Sequence, residues 1–163
     1  MNALQIALAE VARCHELIVP ISRLNADPSL AAQRPGSVRR YPDGAASLHM
    51  GPGRWLLVGR AVEWESATVT AAEACGGWLI EVSAKWRRLS VTGTKAQLHL
   101  SRLLNVAQVL HERVCAPVAV LDCPALLARC QDGFELWVAR SWAPWLHEAL
   151  IAIDRHPEQA HNH

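Results

Sequence analysis

The residues of this chain that could do chemistry are five cysteines, eight histidines and a scatter of glutamates. A nucleophilic enzyme needs a thiol or hydroxyl beside a base that a third group holds in place. Cys14 precedes His15 directly, but on a helix such neighbours point about a third of a turn apart. No GxSxG is present. Cys115, Cys123 and Cys130 match no common metal-site spacing, and no two cysteines form CxxC. They are expected as small buried thiols in strands. Gly93-Thr94-Lys95 lacks the first glycine and the full spacing of a nucleotide loop, so Thr94 reads as a helix N-cap. Gly51-Pro52-Gly53 is too short to cradle phosphate and reads as a tight turn before a strand. His99 and His147 fall on or near polar helix faces and are expected at the surface. Glu63, Glu65, Glu73, Glu81, Glu112, Glu135 and Glu148 form no dyad. Glu81, in a strand-like WLIEVS, could point into a groove, though the solvent face is the expected place. No catalytic, cofactor-binding or metal residue is assigned.

Composition narrows the classes further. The 163 residues carry 16 basic and 15 acidic side chains, a net charge of +1. That balance gives neither the electrostatic footprint of nucleic-acid binding nor a polybasic membrane patch. The short basic run RPGSVRR (34–40) sits beside breakers and reads as a solvated loop. MNALQIALAE lacks a basic leader region, and Glu10 interrupts its apolar run. An odd number of cysteines without a leader fits reduced thiols, hence the cytoplasm. The aromatic balance is skewed, with seven Trp against one Phe and one Tyr. Tryptophan is enriched at interfaces. Trp55, Trp78, Trp137 and Trp142 are therefore candidate partner contacts.

Elements that would position these residues follow from periodicity. Leu4, Ala7, Leu8 and Val11 predict a helix over 2–14, and Pro20 opposes its extension. Residues 25–36 read as loop, and SVRRYPDGAASLHM as a Pro-Asp-Gly turn with strand character around it. A strand is predicted at 54–59 and a helix at 66–75, capped by Ser66 and ended by Gly76-Gly77. WLIEVSAKWRRLSV splits into two strands joined at Ser83–Lys85. Ala96, Leu100, Leu103 and Leu104 mark a helical face. VAVLDC, between Pro117 and Pro124, is an apolar run. PALLARC and FELWVAR form a hairpin turning at 131–133, with Phe134, Leu136 and Val138 on one face and Glu135 and Trp137 on the other. In the last helix Trp142, Trp145, Leu146, Ala149, Leu150 and Ile153 form an apolar stripe behind a Ser141 cap, and Pro144 is harmless in the first turn. The order predicts an α+β fold, a ferredoxin-like antiparallel sheet with helices on one face. The expected division is an N-terminal helix and extended arm (1–47), the α+β domain (48–154) and a disordered tail (155–163).

Taken in order, GPGRWLLVG, WLIEVSAKWRRLSVTGTKAQLHLSRLL and FELWVARSWAPWLHEAL resemble the gamma subunit of heterotetrameric sarcosine oxidase, over roughly residues 48–153. That family is similar in fold to the folate-binding domain of the glycine-cleavage T-protein. Departures exist: Glu81 stands where the family tends to have Asp, Val118 where Thr is common, and the Cys-x-Leu-Asp-Leu run is missing. The resemblance implies a non-catalytic subunit without a cofactor of its own. Its partners would be alpha, beta and delta subunits that carry FAD, FMN, NAD and tetrahydrofolate and oxidise an N-methyl amino acid. The rival from another class is a free-standing folate-binding one-carbon transfer protein of the T-protein type. The iron–sulfur assembly branch of the fold is disfavoured, because its Lys-Gly-Cys-Tyr signature is absent.

Overall fold

The computed structural model describes residues 4–11, 13–26, 34–41, 44–59, 70, 73–111 and 113–155. Among the described residues ten strands form two five-stranded antiparallel sheets, in place of the single ferredoxin-like sheet expected. The chain divides into two compact units. One is made of residues 1–10, 85–112 and 116–163, and the other of 11–84 and 113–115.

The first unit holds β1 (Gln5–Glu10), β7 (Trp86–Thr92), β8 (Cys115–Val120), β9 (Cys123–Cys130) and β10 (Gly133–Ala139), in the order β1-β7-β10-β9-β8. Its helices are α1 (Ala96–Ser101), α2 (Val106–Val109) and α3 (Ala143–Arg155). The β9–β10 hairpin turns at Gln131–Asp132 as its sequence predicts, pairing Leu136 with Leu127 and Gly133 with Cys130. Leu89, Val91, Leu127, Leu136, Leu100, Leu146 and Leu150 meet in one apolar core. Each fully buried leucine contributes about 1.5–3 kcal/mol. The stripe of α3 runs through Ala143, Leu146 and Leu150, all fully buried. Trp142 and Trp145 lie at its margin, 45% and 47% exposed, because spacings of three and four residues place them beside the stripe's centre. Helix α1 starts at Ala96 with Lys95 at the N-cap and no side-chain cap bond, which displaces the cap expected at Thr94. Asn105 caps α2, its side chain accepting from the Gln108 amide at 3.1 Å. Pro117 is accommodated because β8 is an edge strand.

The helix predicted over 2–14 is absent. Residues 5–10 are β1, paired with β7 from Gln5↔Thr92 to Glu10↔Arg87, and residues 14–18 begin the next strand. Leu4, Ile6 and Leu8 also fit a period of two. The backbone bonds that decide the matter come from a strand some eighty residues away. An Arg87–Glu10 ion pair at 3.3 Å lies at the end of that ladder, exposed enough to count for little.

The second unit holds β2 (Cys14–Ile18), β3 (Val38–Arg40), β4 (Ala46–Gly51), β5 (Arg54–Val58) and β6 (Trp78–Glu81), in the order β3-β4-β5-β2-β6. Strands β6 and β7, adjacent in sequence, thus belong to different sheets. Between β3 and β4 the Tyr41 N–H donates to the Ala45 carbonyl at 2.9 Å, and Pro42 and Asp43 of the predicted Pro-Asp-Gly turn lie outside the described residues. Pro52–Gly53 turns β4 into β5 beside a bulge at His49–Gly51. Pro20 ends β2's run, and a 3-10 helix (Ile21–Ala26) follows. Leu17, Val19, Ala45, Trp55, Leu57 and Cys75 form this unit's core. The helix expected at 66–75 lies largely outside the described residues. At its end the Gly76 amide donates to the Glu73 carbonyl at 3.0 Å. The expected tail also lies outside them, apart from Arg155.

Candidate interaction surface

The four tryptophans singled out as contacts are placed differently by the fold. Trp55 is 1% exposed and Trp137 2% exposed, so both rings pack inside this chain. Trp78 is 60% and Trp142 45% exposed. Trp55 leaves β5 towards the second unit's core and stacks on His49, with ring centroids 4.5 Å apart and an 18° interplanar angle. Trp137 lies opposite Arg88 in the β10–β7 ladder, and the Arg88 guanidinium sits 5.9 Å from its ring centroid. Arg88 also approaches Glu135 at 3.5 Å, which supplies charge to a nearly buried carboxylate. The ring that could be given to a partner is therefore found elsewhere.

Strand β6 carries one such surface. It is the last strand of its sheet, and Trp78 and Ile80, two residues apart, project from one side and are 60% and 46% exposed. Pairing with β2 at Ile18↔Trp78 and Glu16↔Ile80 holds the strand in register. Glu81 is exposed, as its solvent-face reading expects. Helix α3 carries the other surface, in the other unit. Trp142 and Trp145 meet edge to face, with centroids 5.9 Å apart and planes at 70°. Such a pair is worth about 0.5–1.5 kcal/mol beyond its burial, which favours keeping the two half-exposed rings together. Helical spacing puts Trp145 on the apolar stripe, yet it is 47% exposed.

Among the described residues the titratable side chains form no reactive constellation. Cys14 and His15 are consecutive in β2, so their side chains take opposite faces of the sheet. Of the three thiols expected to be buried in strands, Cys115 and Cys123 are buried and Cys130 is half-buried; Cys14 and Cys75 are buried as well. Burial pushes the Cys115 thiol up to about 11, although its S–H lies 3.6 Å from the His49 carbonyl oxygen. Cys123 is pushed up by burial as well. Such thiols are poor nucleophiles at neutral pH. Among the described residues no group of three or more His, Cys, Asp or Glu side chains gathers as a metal site would require. His99, expected at the surface, is 2% exposed. Burial holds its imidazole below the ordinary 6.5, with the Asp154 carboxylate opposing and the Arg102 charge assisting the drop. Glu16 is nearly buried and meets the exposed Arg54 at 3.4 Å. No helix among the described residues is long and apolar enough to cross a membrane.

The fold has solved relatives. A chain of the heterotetrameric sarcosine oxidase from Corynebacterium sp. U-96, solved with pyrrole 2-carboxylate, superposes with a TM-score of 0.65 at 20% identity. The match covers 91% of this chain and 84% of that one. The glycine cleavage system aminomethyltransferase T from Bartonella henselae superposes with a TM-score of 0.60 at 17% identity. That match covers 92% of this chain but only 46% of the aminomethyltransferase. No family model and no curated protein matches the sequence. At these identities the likeness establishes a shared α+β fold of two antiparallel sheets.

Proposed function

We propose that the chain is the non-catalytic gamma-type subunit of a heterotetrameric, flavin-dependent oxidase or dehydrogenase of sarcosine or another N-methyl amino acid. Its role is to support assembly of the larger subunits. The observation that carries this reading is the extent of the fold match. The chain corresponds to 84% of a chain in the heterotetrameric enzyme but to under half of the aminomethyltransferase. The exposed aromatic surfaces give it something to assemble with. FAD, FMN, NAD and tetrahydrofolate belong, in this reading, to the partner chains. The fold match to the aminomethyltransferase supports a second reading, a free-standing folate-binding one-carbon transfer protein.

Purification of the tagged chain from its native cells, followed by native mass and a visible absorption spectrum, separates the two. Larger partners with a flavin spectrum are the expected outcome. A colourless monomer that binds tetrahydrofolate would overturn the subunit reading in favour of the second. Trp78→Ala and Trp142→Ala each remove an exposed ring. If one is a contact hot spot, it costs about 2 kcal/mol, on the order of thirtyfold in partner affinity. Assembly unchanged in both variants would remove these rings from the interface.

A further inference from the structure

We propose that the open edge of β6 pairs antiparallel with β6 of a second copy of this chain, so that two five-stranded sheets continue into one across a twofold axis. The inference does not rest on the subunit reading and concerns the chain by itself. β6 ends its sheet, and among the described residues no strand lies beyond it. The backbone pattern tells which groups it leaves open. The Val82 amide donates to the Cys14 carbonyl at 2.8 Å, and the strands pair Glu16↔Ile80 and Ile18↔Trp78. Antiparallel bonds alternate along a strand, so Ile80 and Trp78 likewise bond inward to β2. Leu79 and Glu81 therefore turn their N–H and C=O groups to the open edge.

Side chains decide what fits there. Edge strands are commonly blunted by charge, proline or a bulge. β3 carries Arg39 and Arg40, and β8 carries Pro117. β6 instead exposes Trp78 and Ile80, and Glu81 is its one charge. An added strand must offer apolar side chains at two positions spaced by two, and must keep any carboxylate of its own away from Glu81. A second β6 meets both conditions. Centred on Leu79, antiparallel pairing sets Trp78 across from Ile80 of the second copy, and the twofold axis repeats the pair. Leu79 then exchanges backbone bonds with Leu79 of the second copy, and Glu81 lies opposite Gly77, which has no side chain to repel it. A register centred on Glu81 would set like charges opposite each other and is disfavoured. A strand of four residues buries much less than the roughly 800 Å² a side of a stable complex. The pair is therefore weak, with a Kd on the order of 0.1 mM.

The test is sedimentation equilibrium of the purified full chain below and well above that Kd, joined to amide hydrogen exchange at both ends of the range. The mass should rise with concentration from 17.9 kDa towards twice that value. The Leu79 and Glu81 amides should exchange several-fold more slowly in the concentrated sample. Trp78→Thr removes the exposed ring and keeps a β-branched residue, and Glu81→Pro removes an outward N–H without taking a bond from β2. Each should weaken association about tenfold and leave the unfolding midpoint of the dilute chain unchanged. A mass that stays at the monomer value throughout would overturn the proposal. So would association that survives both variants, or association in which the Leu79 and Glu81 amides keep their dilute exchange rate, because the contact would then lie on another face. None of these results touches the subunit reading, which the purification from native cells tests.

Discussion

Replacement of Gly53 by alanine isolates one backbone contact. Gly53 sits in the Pro52–Gly53 turn at φ +69°, and its carbonyl accepts the Val19 amide at 2.8 Å. A Cβ added there would run into the Val19 carbonyl oxygen, a backbone atom that cannot swing aside. Gly76 provides the control in the same unit: its φ is +62°, and a Cβ on it would meet nothing within 4 Å. Both substitutions place an L side chain in the left-handed region at about 1–2 kcal/mol, and both recover about 0.4–1 kcal/mol by restricting the unfolded chain. Gly76→Ala should therefore destabilise by no more than about 1.6 kcal/mol. Gly53→Ala must in addition push β5 away from Val19. That costs about 1–3 kcal/mol of crowding and weakens a bond worth about 1 kcal/mol. The expected gap between the variants is about 1–4 kcal/mol. Urea unfolding followed by tryptophan fluorescence measures it, since Trp55 follows the turn by two residues and sits in the core. Equal destabilisation of the two variants would show that φ alone governs these turns and that the Val19 contact carries no penalty.

Two further outcomes follow from buried titratable groups. The unfolded chain protonates His99 near the ordinary 6.5, whereas burial delays protonation in the folded state. The unfolded state therefore binds more protons below that pH, and stability is lost as pH falls through the ordinary 6.5 towards the lowered value of the folded state. His99→Leu should flatten this part of the urea-midpoint profile, and an unchanged slope would refute the assignment. Cys115, held up to about 11 and buried against the Ser37 and His49 carbonyls, should alkylate far more slowly at neutral pH than half-buried Cys130. Mass-mapped iodoacetamide labelling decides the order, and Cys115 reacting first would contradict its burial.

Local chemistry was legible in the sequence, and long-range pairing was not. The β9–β10 hairpin and α3 could be read because alternation, a polar turn and a helical stripe all lie within a few residues of each other. The segment 5–10 was misread as helix because its strand exists only through β7. The same cause hid the second sheet. WLIE and WRRLSV look like successive strands, and nothing between Val82 and Lys85 says that they join different partners. His99 is a different failure. It lies three residues after Ala96 and four before Leu103, on the stripe that those residues mark, so its burial was available from spacing. A polar side chain inside an apolar stripe masks that spacing.

The tryptophans mark a limit that alternation cannot pass. In β10 the apolar face of Phe134, Leu136 and Val138 implies that Glu135 and Trp137 look outward. Yet all five are buried, so this strand is covered on both sides. Alternation separates two faces but does not say that either one is wet. Surplus tryptophan is therefore evidence of a partner only after the rings that the chain consumes itself have been subtracted. Trp55 and Trp137 fall in that group, while Trp78 and Trp142 do not. A loss of assembly on Trp137→Ala would report damage to the first unit, because truncating a buried tryptophan costs about 3–5 kcal/mol. The same loss on Trp78→Ala, in a chain whose unfolding midpoint is unchanged, would report a contact. Only the second result bears on the subunit reading, and it requires both measurements on the same variant.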